Sequence, residues 1–273
     1  MKKTLTISIL LCLGIASFAQ AQTVRYFSHR GGRQEFDENT IPAFEASYKA
    51  GYRGYETDVR LTADGQMVIL HDSNLSRTSD TDGFVEKMTT EQIRKVHTKK
   101  GNKVMFLEDL MNWLDSKGDV TYVEFEIKTN ANDYTEEKIH ELCDKMYERV
   151  LRDKPEGAQY LFTSGDYRAL RYMTIAHPDT ELLLITGKPC CDETIDLCLA
   201  MGIPRLGATM DGTSRAAVKK AHEKGLIVSL WPGNSPDDAV LGAYLGADFL
   251  CTDVPVAVKK HIDTNLPWIN AVY

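Results

Sequence analysis

The chain has 273 residues, 43% hydrophobic and 26% charged, a composition that belongs to a folded globular domain and excludes disordered, collagen-like and coiled-coil proteins. Its 32 basic against 39 acidic residues give a formal net charge of −7, which argues against a nucleic-acid or anionic-membrane partner, because the long-range field repels both. A small phosphorylated ligand stays open, since one bound cation and two or three local bases reverse the sign inside a cleft.

In chain order the first segment stands apart. Lys2 and Lys3 precede an apolar run over residues 5–18, and Ala19-Gln20-Ala21 has the small-x-small form of a signal-peptidase site. The run is shorter than the roughly 20 residues of a membrane span, so residues 1–21 read as a signal peptide and no stable membrane insertion is expected. Cleavage after Ala21 removes 21 of 273 residues and leaves 252, in a periplasmic or secreted protein. The same cut removes two lysines and no acid, so 30 basic face 39 acidic residues, a net of −9. Residues 22–273 read as one domain, close to the roughly 250 residues typical of a (β/α)8 barrel, although two smaller units fit the length as well.

Strand-like runs are predicted at residues 24–28, 53–59, 66–71, 120–127, 159–163, 181–186, 205–208, 226–231 and 248–252. Helical patterns fill most of the gaps, at 40–50, 107–116, 135–151, 167–176, 192–201, 215–224 and 237–245. Alternation of this kind implies parallel pairing through right-handed crossovers, hence an α/β fold, with the TIM barrel as the architecture. Nine strands are one too many for eight, and 205–208 is the least secure. Asp64-Gly65 forms a hairpin-like turn. The polar, basic stretch 79–103 reads as a small insertion at the end of a strand, either a lid or a solvated face.

Five cysteines follow the signal segment: Cys143, Cys190, Cys191, Cys198 and Cys251. An odd number leaves at least one unpaired, and the group 190, 191 and 198 allows a local bridge that spacing cannot assign. Cys143 and Cys251 read as small buried hydrophobes.

Glu56 and Asp58 lie two apart on a strand and so share a face. Side by side they repel unless a cation lies between them, and oxygen-only ligands favour Ca2+ or Mg2+ over zinc. Glu126 adds a third carboxylate near a strand end, with Lys128 on the same face, while Glu124 reads as a structural acid deeper in the barrel. His29 and His71 each end a strand, and a pair of imidazoles suits acid and base work near neutral pH. Arg30 offers a planar fork to phosphate oxygens, and Gly31-Gly32 lets backbone approach a ligand.

The runs His29-Arg30-Gly31-Gly32, Glu38-Asn39-Thr40, Glu56-Thr57-Asp58-Val59, Asp64-Gly65, His71-Asp72, Arg77-Thr78, Glu126-Ile127-Lys128 and Thr252-Asp253-Val254-Pro255 resemble, in order and spacing, the glycerophosphodiester phosphodiesterase family. The resemblance implies a TIM barrel that hydrolyses a small-molecule glycerophosphodiester to glycerol 3-phosphate and an alcohol with one divalent cation. It gives His29 and His71 the place of the acid/base pair, Glu56, Asp58 and Glu126 that of the metal ligands, and Arg30 and Lys128 that of the phosphate-binding bases. Trp231 falls where an aromatic lines the glycerol side. Two departures stand out: Asp37 replaces a usual proline in a loop, and Trp231-Pro232-Gly233-Asn234 replaces a usual Trp-Thr-Val-Asn in the pocket wall. Rival readings are a phospholipase-D-like or phosphoinositide-type lipase on the same barrel, and a secreted binding protein without catalysis. Neither head group nor oligomeric state follows from the sequence.

Overall fold

A computed structural model describes residues 23–273, so the signal-like segment lies outside the described residues. Eight parallel strands close into a barrel: β1 (Thr23–His29), β2 (Gly54–Leu61), β4 (Tyr122–Ile127), β5 (Gln159–Ser164), β6 (Glu181–Pro189), β7 (Arg205–Thr209), β8 (Ile227–Gly233) and β9 (Phe249–Thr252). Each pairs with the next, and β9 and β2 both pair with β1, which closes the ring and removes free edges. Helices α1 (Ile41–Lys49), α3 (Leu107–Lys117), α4 (Glu136–Arg152), α5 (Tyr167–Ala176), α6 (Asp192–Met201), α7 (Arg215–Glu223) and α8 (Pro236–Leu245) form the outer layer. A short α2 (Thr90–Ile93), a C-terminal α9 (Pro255–Asn265) and β10 (Asn270–Val272), which pairs with β1, complete the set. The TIM barrel expected from the sequence is the fold.

The surplus strand is not 205–208, which is β7 and sits between β6 and β8 with full pairing. Its signal is weak because Gly207 adds no side chain, yet glycine is needed there: a Cβ would stand 2.8 Å from Leu183 Cδ2. The surplus is β3 (Met67–Ile69), which pairs antiparallel with β2. The Asp64-Gly65 turn explains this, since so short a link joins only antiparallel neighbours, whereas a parallel crossover needs a dozen residues or more.

Outward-facing residues of the strands, such as Val123, Phe125, Ile127 and Phe162, pack with Leu142, Met146 and Leu170 of the helices into one large core. Inside the barrel a smaller cluster of Phe27, Tyr122, Leu161, Leu183 and Cys251 plugs the N-terminal half and forms the floor of a polar mouth. All five cysteines among the described residues are free thiols, so the local bridge left open by spacing is not made.

The insertion is more than a solvated face. Its Val85, Ile93 and Val96 pack with Val68, Leu75 and Phe106 on either side of it into a small separate hydrophobic core, and none of residues 79–103 lines the central pocket. It is pinned to the β1–α1 loop by Asp37, whose Oδ2 accepts from Thr98 Oγ1 at 2.5 Å and Asn102 Nδ2 at 2.7 Å. The loop substitution noted above therefore has a structural task. On the other side, Glu86 is buried against Arg60 (Nη1 to Oε1, 2.8 Å) and Ser73 (Oγ to Oε2, 2.5 Å). Arg60 in turn donates from Nε and Nη2 to the carbonyl of His71, at 3.0 and 2.6 Å. Glu86→Ala strands the Arg60 cation in a dry setting, and loss of one partner of a buried pair costs about 3 kcal/mol. Urea unfolding of the variant should show a loss of that size, and a change below about 1 kcal/mol would mean the pair does not hold the insertion.

Candidate active site

β1 ends at His29, and the next three residues turn sharply, with φ of 51° at Arg30, 78° at Gly31 and 99° at Gly32. Glycine is required at 31, where a Cβ would stand 2.8 Å from Ala43 Cβ and 3.0 Å from the Ala43 carbonyl carbon. The turn brings the Arg30 amide onto Glu56, by the carbonyl at 3.1 Å and Oε2 at 3.2 Å. It also carries the Arg30 guanidinium over Asp58, with Nε 3.2 Å from Oδ2.

Strand register assembles the acids. His29 stands opposite Glu56, Glu56 opposite Glu124 and Asp58 opposite Glu126, all on inward-facing positions. One oxygen from each of Glu56, Asp58 and Glu126 lies within 4.8 Å of the others. Three buried carboxylates are costly without compensation. Burial works against the ionised form of Asp58, but Arg30 and Lys128 outweigh it and hold the carboxyl well below its usual range. Burial and the Asp58 charge push Glu56 well up, and burial also raises Glu126. Lys128 Nζ reaches Glu126 at 2.7 Å and Asp58 at 3.3 Å. Among the described residues Glu56 Oε1 is buried with no hydrogen-bond partner, which in a folded protein marks a position for a ligand. An unsatisfied oxygen within a compact set of oxygen-only donors fits a hard divalent cation.

The two histidines are oriented alike. His29 Nδ1 lies 2.5 Å from Asp253 Oδ1, just after β9, and His71 Nδ1 lies 2.6 Å from Asp72 Oδ1. Burial opposes ionisation of both aspartates, yet hydrogen bonds from His29 to Asp253 and from Arg77 and His71 to Asp72 hold both below the usual range. An ionised carboxylate only accepts, so each Nδ1 carries the proton and each Nε2 presents its lone pair. His29 Nε2 stands 3.6 Å from Glu56 Oε2. Burial lowers the pKa of both imidazoles, that of His71 to about 4, with Lys128 and Arg30 adding to the effect.

Every site residue expected from the sequence converges here. One pocket is lined by His29, Arg30, Glu56, His71, Glu126, Lys128 and Trp231, with Leu183, Ile185 and Gly207 on the apolar side. Asp58 lies beneath, fully buried under the two bases. Glu124 accepts from Tyr122 Oη at 2.5 Å on the pocket floor, as a structural acid would. The sequence assigned no site role to Asp253, Asp72 or Asn39, and its reading of Asn39 or Thr40 as helix cap resolves to Thr40. Asn39, at φ 56°, donates from Nδ2 to Asp58 Oδ2 at 2.8 Å and accepts from Thr57 Oγ1. Arg77 bonds Asp72 and both oxygens of Glu38, which also accepts from Arg30 at 3.1 Å. Asp253 entered the sequence reading only within the run Thr252-Asp253-Val254-Pro255, which names no partner for it.

With this geometry in hand, comparison with known proteins places the chain. The sequence model of the glycerophosphoryl diester phosphodiesterase family matches residues 29–257. The chain belongs to that family. A glycerophosphodiester phosphodiesterase of Bacillus altitudinis is 30% identical over 248 residues, covering 86% of this chain and 97% of the relative. A structure described as a putative glycerophosphoryl diester phosphodiesterase from Silicibacter pomeroyi superimposes with a TM-score of 0.80 at 25% identity, over 90% of this chain and 96% of the other. The fold is also that of an Oleispira antarctica phosphodiesterase solved with the product sn-glycerol-3-phosphate, with a TM-score of 0.78 at 22% identity over 89% and 97% of the two chains.

Proposed function

We propose that this family member is a metal-dependent hydrolase that converts glycerophosphodiesters to glycerol 3-phosphate and an alcohol, with His29 and His71 as its acid/base pair. The observation that carries the reading is the pairing of two carboxylate-oriented imidazoles with three clustered acids around one pocket. Family membership and the name of the B. altitudinis relative support the substrate class.

Glu56, Asp58 and Glu126 would hold the cation, Ca2+ or Mg2+ by its oxygen-only ligands. When bound, such an ion supplies a fixed positive charge beside the phosphate oxygens, where negative charge builds in the transition state. Charge balance supports it. Three carboxylates against Arg30 and Lys128 leave one negative charge in excess, and a divalent ion turns that into one positive charge facing a diester of charge −1.

The chain's own residues do the rest. Arg30 and Lys128 orient the phosphate by charge-assisted hydrogen bonds. Leu183, Ile185 and the ring of Trp231 give the glycerol carbons an apolar wall, and Trp231 Nε1–H, buried without a partner among the described residues, is available to a glycerol oxygen. One imidazole Nε2 takes the proton of the attacking oxygen. The other, after taking a proton from solvent on Nε2, gives it to the leaving alkoxide, and solvent resets the pair. The attacking oxygen is either the glycerol 2-hydroxyl, by way of a cyclic phosphate, or water. Export to the periplasm or medium is part of the reading, on the form of residues 1–21.

Three outcomes test the proposal. Chelation, or Glu126→Gln, should abolish turnover of glycerophosphocholine, and full activity after either rules out the metal assignment. Asp253→Asn frees the His29 ring, so kcat should fall by about 10²-fold or more with KM changed only a few-fold; an equal rise in KM would point to a binding role instead. N-terminal sequencing of the exported protein should begin at Gln22, and a retained Met1 would contradict export.

A further inference from the structure

A second group of donors adjoins the acidic triad. Cys251 points into the barrel from β9 and lines the pocket, and its sulfur lies with a ligating atom of His29 and one of Glu56 within 4.8 Å of one another. Asp253 occupies His29 Nδ1, so the imidazole atom turned toward this group is Nε2. Among the described residues Glu56 Oε1 is buried with no hydrogen-bond partner, and Cys251 is a free thiol.

We propose that Cys251 Sγ, His29 Nε2 and a Glu56 oxygen form a second cation site, for a thiophilic divalent ion of the zinc and cadmium class, sharing Glu56 with the acidic triad. The donor chemistry separates the two positions. Thiolate, imidazole and carboxylate together select a soft or borderline ion, whereas three carboxylates select a hard one. Tetrahedral bonds of about 2.0 to 2.3 Å put donors roughly 3.5 Å apart, so the three side chains need to close by only about 1 Å. The fourth position opens to the pocket, for water or a phosphate oxygen. Asp253 behind His29 completes the carboxylate–imidazole–metal relay that fixes a ligating ring. As the Sγ–metal bond forms, the thiol proton leaves to solvent.

Occupancy takes His29 Nε2 out of proton transfer and draws Glu56 away from Asp58 and Glu126, so the ion inhibits. Binding stands on the geometry alone; inhibition rests on the role proposed for His29. Zinc or cadmium would therefore act here as a regulator or poison of an enzyme that runs on a hard cation.

Cadmium is the probe, because its bond to thiolate absorbs in the ultraviolet. The full chain should bind one equivalent of Cd2+ with that absorption, and Cys251→Ser should lose the band and weaken Cd2+ binding at least about tenfold. Cys191→Ser, at the half-buried N-cap of α6 and away from the pocket, should keep both. Excess Ca2+ should weaken Cd2+ binding through the shared Glu56. Inhibition of glycerophosphocholine hydrolysis by Cd2+ should shift at least about tenfold in Cys251→Ser. A crystal of the unaltered protein soaked in Cd2+ needs no variant to fold: an anomalous peak bonded to Cys251 and His29 supports the site, and a peak on Glu56, Asp58 and Glu126 alone overturns it. An unchanged band in Cys251→Ser also overturns it. Should the protein cleave no diester, the spectral and crystallographic results still decide this proposal while the enzymatic one fails.

Discussion

Glu56, Asp58 and Glu126 meet at the mouth of a barrel that excludes most of the water able to solvate them, so their charges must be answered from within the protein. Much of the surrounding structure does this. Arg30 and Lys128 pair with the triad, Asn39 bonds Asp58, and Glu38 and Arg77 extend the alternation of charge to Asp72 and His71. Arg30 reaches Asp58 only because the chain takes three successive positive φ values after β1. The His-Arg-Gly-Gly turn is thus the backbone solution to an electrostatic demand. The strained dihedral at Arg30 is tolerated because ion pairs and the Glu56 contacts hold it from several sides.

The insertion joins the same system from below. Buried Glu86 holds Arg60, Arg60 holds the His71 carbonyl, and Asp37 ties the far side of the insertion to the loop that carries Glu38 and Asn39. Residues 29–103 therefore act as one braced unit, with a small hydrophobic core standing where a simple βα connection would leave a mobile loop. A carboxylate holds each histidine at Nδ1, and Arg60 also holds the His71 carbonyl, which sets the direction of each Nε2.

What could be read in the sequence were relations along one strand. Two-residue spacing put Glu56 beside Asp58, alternation of strands and helices gave the barrel, and histidines at strand ends fell on the face that holds the site. What could not be read were contacts between distant segments. Asp253 lies 224 residues from His29, and nothing in the spacing of either announces the other before the ring of strands is closed. β7 was underrated because a glycine weakens strand propensity while packing demands it, and β3 was miscounted although the length of the turn before it decides the direction of pairing. Cys251 was read as a small hydrophobe, which its burial fits, but the inward face of β9 sets it against His29 and Glu56.

An acidic protein that binds an anion needs positive charge placed where the anion sits rather than in its overall balance. Here the pocket is divided: one wall carries His29, Arg30, His71 and Lys128 with the acids, and the other is Leu183, Ile185 and Trp231. On the proposed function, the charged wall takes the phosphate and the apolar wall the three-carbon end, because the reverse would bury the phosphate against leucine and isoleucine. That same division explains why Cys251 is tolerated beside the acids. It stands at the seam between the apolar floor and the charged mouth, packed with Phe27 and Leu183 on one side and within reach of Glu56 on the other. A seam of this kind is where a donor set changes from hard to soft within one side chain's length.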